Sequence, residues 1–128
     1  EPKVGLAALA AGVHRLPRQI GLKKAMGMML TGRHVPAKEG YELGFVTEVV
    51  PQGEALTGAN RWAEMILECS PMSIRATKQA AMQGQNVAGV RTAHEGKYDA
   101  VKAMTKSDDY VEGPVAFAEK RAPIWKGR

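Results

Sequence analysis

A single cysteine, Cys69, leaves no partner for an intrachain disulfide and fits a reducing compartment better than an oxidising one. Histidine is scarce and scattered. His14, His34 and His94 form no H-E-x-x-H run and have no CxxC beside them, so no metal site is expected. The longest apolar run, residues 6–11, falls far short of the roughly 20 residues a membrane-spanning helix needs. Secretory and lipidation signals, internal repeats and low-complexity tracts are missing too. Acidic residues are the minority, 13 against 18 Lys and Arg. The resulting charge of +5 favours an anionic partner, although a solvated basic surface explains it equally well. No nucleic-acid-binding motif accompanies the charge, so neither nucleic acid nor membrane is expected as a partner. What remains is a chain of 128 residues, enough for one domain with a buried core and consistent with a cytoplasmic location.

The most informative stretch is residues 30–51, LTGRHVPAKEGYELGFVTEVVP. Thr31-Gly32 falls where a periodic apolar helix stops, and glycine tolerates the left-handed conformation that closes one. Pro36 suits a first helical turn, which predicts a short helix over 37–43 ended by Gly44. Residues 45–50 are rich in β-branched side chains and stop at Pro51, so a strand is expected there.

Elsewhere the pattern is helical. Leu22, Ala25, Met26 and Met29 follow the i, i+3, i+4, i+7 spacing and predict an amphipathic helix over 19–30, its methionines filling a core. A wider apolar stripe containing Trp62, expected in the core, predicts a helix over 53–68. Ser70-Pro71 then starts another over 71–83. Val90, Ala93, Val101 and Met104 suggest a single weaker helix whose apolar stripe Lys97 interrupts. Ser107-Asp108-Asp109 starts a last one, which Pro114 is expected to kink or restart. Residues 122–128 should be extended. Cys69, at a helix junction without an activating motif, reads as structural.

Leu30-Thr31-Gly32-Arg33, Ala37, Glu39, Gly44, Val46 and Val49-Val50-Pro51 resemble the L-T-G-R…A-x-E…G-x-V…V-V-P run of the crotonase (enoyl-CoA hydratase/isomerase) superfamily. Glu1, Gly5, Gly12 and Arg15-Leu16 are similar to the family segment that precedes this run. Glu112-Gly113, Ala116-Phe117, Glu119-Lys120-Arg121 and Trp125-Lys126-Gly127-Arg128 are similar to its tail. Family members are longer, which identifies the chain as a C-terminal half whose missing part lies before Glu1. The implied fold is mostly α with one or two short strands, the C-terminal part of the crotonase β/α spiral plus its helical trimerisation region. Residues 1–51 would close the spiral core, and residues 52–128 would form the oligomerisation and CoA-closing region.

The resemblance also implies an activity, most simply an enoyl-CoA hydratase, a lyase of fatty acid metabolism that adds water to a trans-2-enoyl-CoA. Coenzyme A enters as the thioester substrate, and no prosthetic group is implied. The parent would be a homo-oligomer, a trimer or dimer of trimers. Glu1 aligns with a catalytic acid/base of the hydratases, while the first Glu and the oxyanion N–H groups lie upstream. The residue-level alternative is an exposed, fraying end, so the chain alone is expected to be inactive. Phe117 and Lys120 align with residues that bind the CoA nucleotide, a ring for the base and an ammonium for a phosphate. The plainer reading is an amphipathic pair, Phe in the core and Lys in water. Ala8, Leu9, Ala10 and Ala11 stand where many hydratases have Pro and successive glycines, and Leu9 and Ala11 add side chains near the family's acyl pocket. A non-catalytic oligomerisation and CoA-binding module, or a parent with isomerase or other crotonase chemistry, are the alternatives.

Overall fold

The computed structural model describes residues 1–128, which divide into two compact units, Glu1–Gly58 and Ala59–Arg128. All its regular structure is helical, and the expected strand at 45–50 is not formed. The segment leaves α3 (Ala37–Leu43) with the N–H groups of Gly44, Phe45 and Val46 all donating to the Gly40 carbonyl, and then runs without a ladder. β-Branched residues favour extended backbone, but a strand also needs a neighbour to take its hydrogen bonds. No second strand exists in the chain to supply one.

In the first unit a 3₁₀ turn over Pro2–Val4 leads through a loop to α1 (Gly12–Ile20), which packs against α2 (Leu22–Thr31). The helix predicted over 19–30 begins only after Gly21, whose φ of 83° separates the two. α1 escapes the sequence pattern because Pro17 lies inside it. Ala25 is buried, but Met26 is exposed and Met28 and Met29 are half-buried, so the α2 methionines line open space instead of filling a sealed core. Gly40 is buried beneath Phe45 and Val46. A Cβ there would lie 2.8 Å from Val46 Cγ2, which gives a packing reason for a residue that helix propensity alone disfavours.

α4 (Ala55–Leu67) carries Trp62, which is 42% exposed and so is not the core residue its spacing suggests. In the second unit, α5 (Pro71–Gly84) starts as expected, with Ser70 Oγ accepting from the Ser73 N–H at 3.3 Å. The single weak helix expected around Lys97 is two, α6 (Val90–His94) and α7 (Asp99–Met104). Tyr98 Oη donates to the Ala93 carbonyl at 2.6 Å across the break, and Gln79 Oε1 accepts the Ala100 N–H at 2.7 Å in the first turn of α7. α5 packs against α6, α7 and α8 (Asp108–Ala118). Ser107 caps α8, and the helix passes through Pro114 as one element. Cys69 is exposed, its thiol donating a hydrogen bond to the Met65 carbonyl at 3.5 Å.

Candidate functional site

Glu1 stands at the head of the 3₁₀ turn, and its carbonyl accepts the N–H groups of both Val4 and Leu6 at 3.0 Å. These bonds engage only the Glu1 backbone, and the residue itself is exposed, as the plainer reading of it has it. It also lines an open cavity of about 380 Å³ within the first unit, together with Ala8, Leu16, Met28, Met29 and Arg33. Most of that lining is apolar. A carboxyl group at the edge of an apolar space is suited to proton transfer next to a hydrocarbon chain.

Arg33 ends the α2 side of the cavity. Its Nη1 donates to Glu39 Oε2 at 2.9 Å while Nη2 pairs with Glu39 Oε1, a forked arrangement. The hydrogen bond raises the Arg33 pKa and lowers that of Glu39. The L-T-G-R and A-x-E motifs are thus two halves of one clamp between α2 and α3. Spacing did not reveal this, because the five intervening residues change direction at Pro36.

The departures at 8–11 have a local structure. The Leu9 and Ala11 N–H groups close two successive three-residue turns, donating to Ala7 O and Leu9 O at 2.7 Å. Ala11 takes a φ of 71°, a left-handed conformation costly for alanine and natural for glycine.

In the second unit, Phe117 and Lys120 do not share a helix face. α8 ends at Ala118, and Lys120 has a φ of 55°. The Lys120 N–H donates to Phe117 O at 3.2 Å and the Arg121 N–H to Ala116 O at 3.1 Å, the two bonds of a Schellman motif with Lys at the glycine position. Helical i, i+3 geometry therefore stops before Lys120. Phe117 is 87% exposed, so the reading of it as a core residue is wrong.

The rest of the tail block is a second clamp. Arg121 donates to both Glu112 oxygens, at 2.6 and 3.0 Å, and to Glu119 at 2.6 Å, while the Ile124 N–H donates to Glu112 Oε1 at 2.8 Å. The Arg121 hydrogen bond and then the Ile124 N–H hold the Glu112 pKa down to about 2. Asp109, 4% exposed, accepts from Ser70 Oγ and the Lys126 N–H at 2.7 Å and from the Gly127 N–H. Desolvation pushes its pKa up, but these donors outweigh it and the pKa is lowered. Trp125 Nε1 donates to Glu68 O at 2.8 Å.

The family model for enoyl-CoA hydratase/isomerase matches residues 1–128. The chain is 36% identical to the carnitinyl-CoA dehydratase of Salmonella typhi, all of it aligning with 50% of that protein. It superposes on an enoyl-CoA hydratase from Mycobacterium tuberculosis H37Rv with a TM-score of 0.91 at 35% identity, covering 100% of this chain and 50% of that one. An enoyl-CoA hydratase from Bacillus anthracis gives 0.90 at 34% identity, over 99% and 49% of the two chains. The chain thus spans about half the length of the curated relatives it matches. Because the family model matches the chain from its first residue to its last, the chain belongs to the enoyl-CoA hydratase/isomerase family.

Proposed function

We propose that this chain supplies a catalytic carboxyl group and the CoA-contacting tail of an enzyme that adds water to a trans-2-enoyl-CoA. The observation that carries the reading is the position of Glu1 on the wall of the apolar cavity beside Met28, Met29 and Leu16. Hydration forms a C3–O bond from water and a C2–H bond, and a carboxyl group serves both transfers by taking one proton and giving another. The names of the relatives, a hydratase and a dehydratase, describe that chemistry in its two directions.

Phe117 and Lys120 act as the contacts to the CoA nucleotide. The exposed ring on the last turn of α8 offers a face to the base, and the exposed Lys120 ammonium, just beyond the helix end, offers a charge to a phosphate. The thioester is the substrate, the working protein is a homo-oligomer, and it operates in the cytoplasm. Residues 1–51 belong with the spiral core, and residues 52–128 with oligomerisation and CoA closure.

The test is Glu1→Gln in the full-length protein that carries this chain, assayed with crotonyl-CoA. The expected result is a fall in kcat of about 10²- to 10⁴-fold with KM little changed, the range for a lost general acid/base. An unaltered kcat removes Glu1 from the mechanism.

A further inference from the structure

We propose that Gly32 is a positioning residue for Glu1, an inference that rests on the reading of Glu1 as the acid/base. Gly32 closes α2 with a φ of 56°, its N–H donating to Met28 O at 3.0 Å. A side chain there would meet the turn that carries Glu1. A Cβ would lie 3.0 Å from Pro2 Cγ, 3.4 Å from Pro2 Cδ and 3.5 Å from Lys3 Cγ. The lysine methylene can swing aside. Pro2 has less freedom, because its ring is closed onto its own backbone nitrogen and can only change pucker.

The contact leads directly to the reacting group. Pro2 is the first residue of the 3₁₀ turn, and that turn is held by hydrogen bonds onto the Glu1 carbonyl. A push on the Pro2 ring therefore moves the peptide that bears the Glu1 carboxyl. Gly32 cannot readily yield instead, since the next residue, Arg33, is fixed to Glu39 through both guanidinium nitrogens. Glu1, Pro2, Gly32 and Arg33 all line the same cavity. The absence of a side chain at position 32 is what lets the Glu1 turn seat at its present depth. A shift of about 1 Å lowers turnover by about two orders of magnitude, so the few tenths of an ångström that this contact demands should cost about one.

The experiment compares Gly32→Ala, Gly32→Ala with Pro2→Ala, and both glycine states in a Glu1→Gln background, all in the full-length protein with crotonyl-CoA. Gly32→Ala is expected to lower kcat by about tenfold or more with KM within about twofold. Removing the ring by Pro2→Ala should restore most of that loss. In the Glu1→Gln background Gly32→Ala should cost little further, since the group being positioned is already gone. A kcat unmoved by Gly32→Ala, a loss that Pro2→Ala leaves in place, or a full further loss without Glu1 overturns the proposal. Crystal structures of the first two variants supply an arm independent of turnover. Pro2 and Glu1 should shift away from position 32 in the single variant and return in the double, and an unshifted turn overturns the seating even where no enoyl-CoA is hydrated. Glu1→Gln at wild-type kcat, by contrast, defeats the reading of Glu1 and not the seating. Where Gly32→Ala does not accumulate, Gly32→Asn makes the same comparison with a residue that tolerates the left-handed conformation.

Discussion

Lys120 holds a backbone conformation that suits glycine better than lysine. A left-handed non-glycine residue costs about 1–2 kcal/mol, and glycine's extra chain entropy returns about 0.5–1 of that. Lys120→Gly should therefore stabilise the protein by about 0.5–1 kcal/mol, read as a raised Tm. The same change should weaken CoA binding by roughly tenfold, the effect of losing one charge-assisted hydrogen bond. Lys120→Ala should lose the affinity without gaining the stability. Unchanged CoA affinity in both variants removes Lys120 from the nucleotide site. The residue types were legible in the sequence and their geometry was not, since nothing in E-K-R announces that the helix has ended one residue earlier. Phe117 shows the same limit: its period matched a core position, yet packing leaves the ring in solvent.

At the scale of elements, helices with strong caps were the most readable. Ser70-Pro71 and Ser107-Asp108-Asp109 each announce a start that local hydrogen bonds enforce. Breaks enforced from elsewhere were not readable, as at α6 and α7, where Gln79 and Tyr98 divide one pattern in two. The strand at 45–50 failed because local preference cannot supply a pairing partner. The tail shows how far apart the parts of one element's support lie: residues 122–128 are held to α8 by Asp109 and Glu112, and Asp109 in turn accepts from Ser70 at the N-terminus of α5. Both carboxylates have lowered pKa values in the folded chain, so each binds protons more readily when unfolded. Their stabilisation is complete above the unfolded carboxylate pKa, near 4.5 for Glu112, and is lost as pH falls towards its folded value of about 2. The Tm of the wild type should therefore drop between about pH 4.5 and 2, and Glu112→Gln should have a lower Tm at neutral pH with a shallower acid dependence. An equal slope for wild type and Glu112→Gln would remove this clamp as a source of acid lability.

At the scale of the whole molecule, burial decides what the chain can do alone. The apolar residues it buries are three alanines, Ala25, Ala76 and Ala116, and no large side chain is fully enclosed. Its accessible surface is 10226 Å², whereas the size relation for folded monomers gives roughly 6,600 Å² at this mass. Leu6, Leu9, Leu22, Leu30, Leu56 and Leu67 are all exposed, and each forgoes about 1.5–3 kcal/mol that full burial would contribute. With net stability of a domain only about 5–15 kcal/mol, a deficit repeated this often leaves the helices without a cooperative core. These apolar side chains lie open in a chain that spans about half the length of the relatives it matches. The 128-residue chain on its own should show helical circular dichroism, bind a hydrophobic dye, melt over a broad range and leave crotonyl-CoA unhydrated. Co-expression with the segment that precedes it in a full-length family member should suppress dye binding and sharpen the transition, with hydration appearing only in that complex. A sharp, dye-free transition of the isolated chain would show that its exposed leucines need no cover, and turnover by it would show that Glu1 works without upstream oxyanion donors.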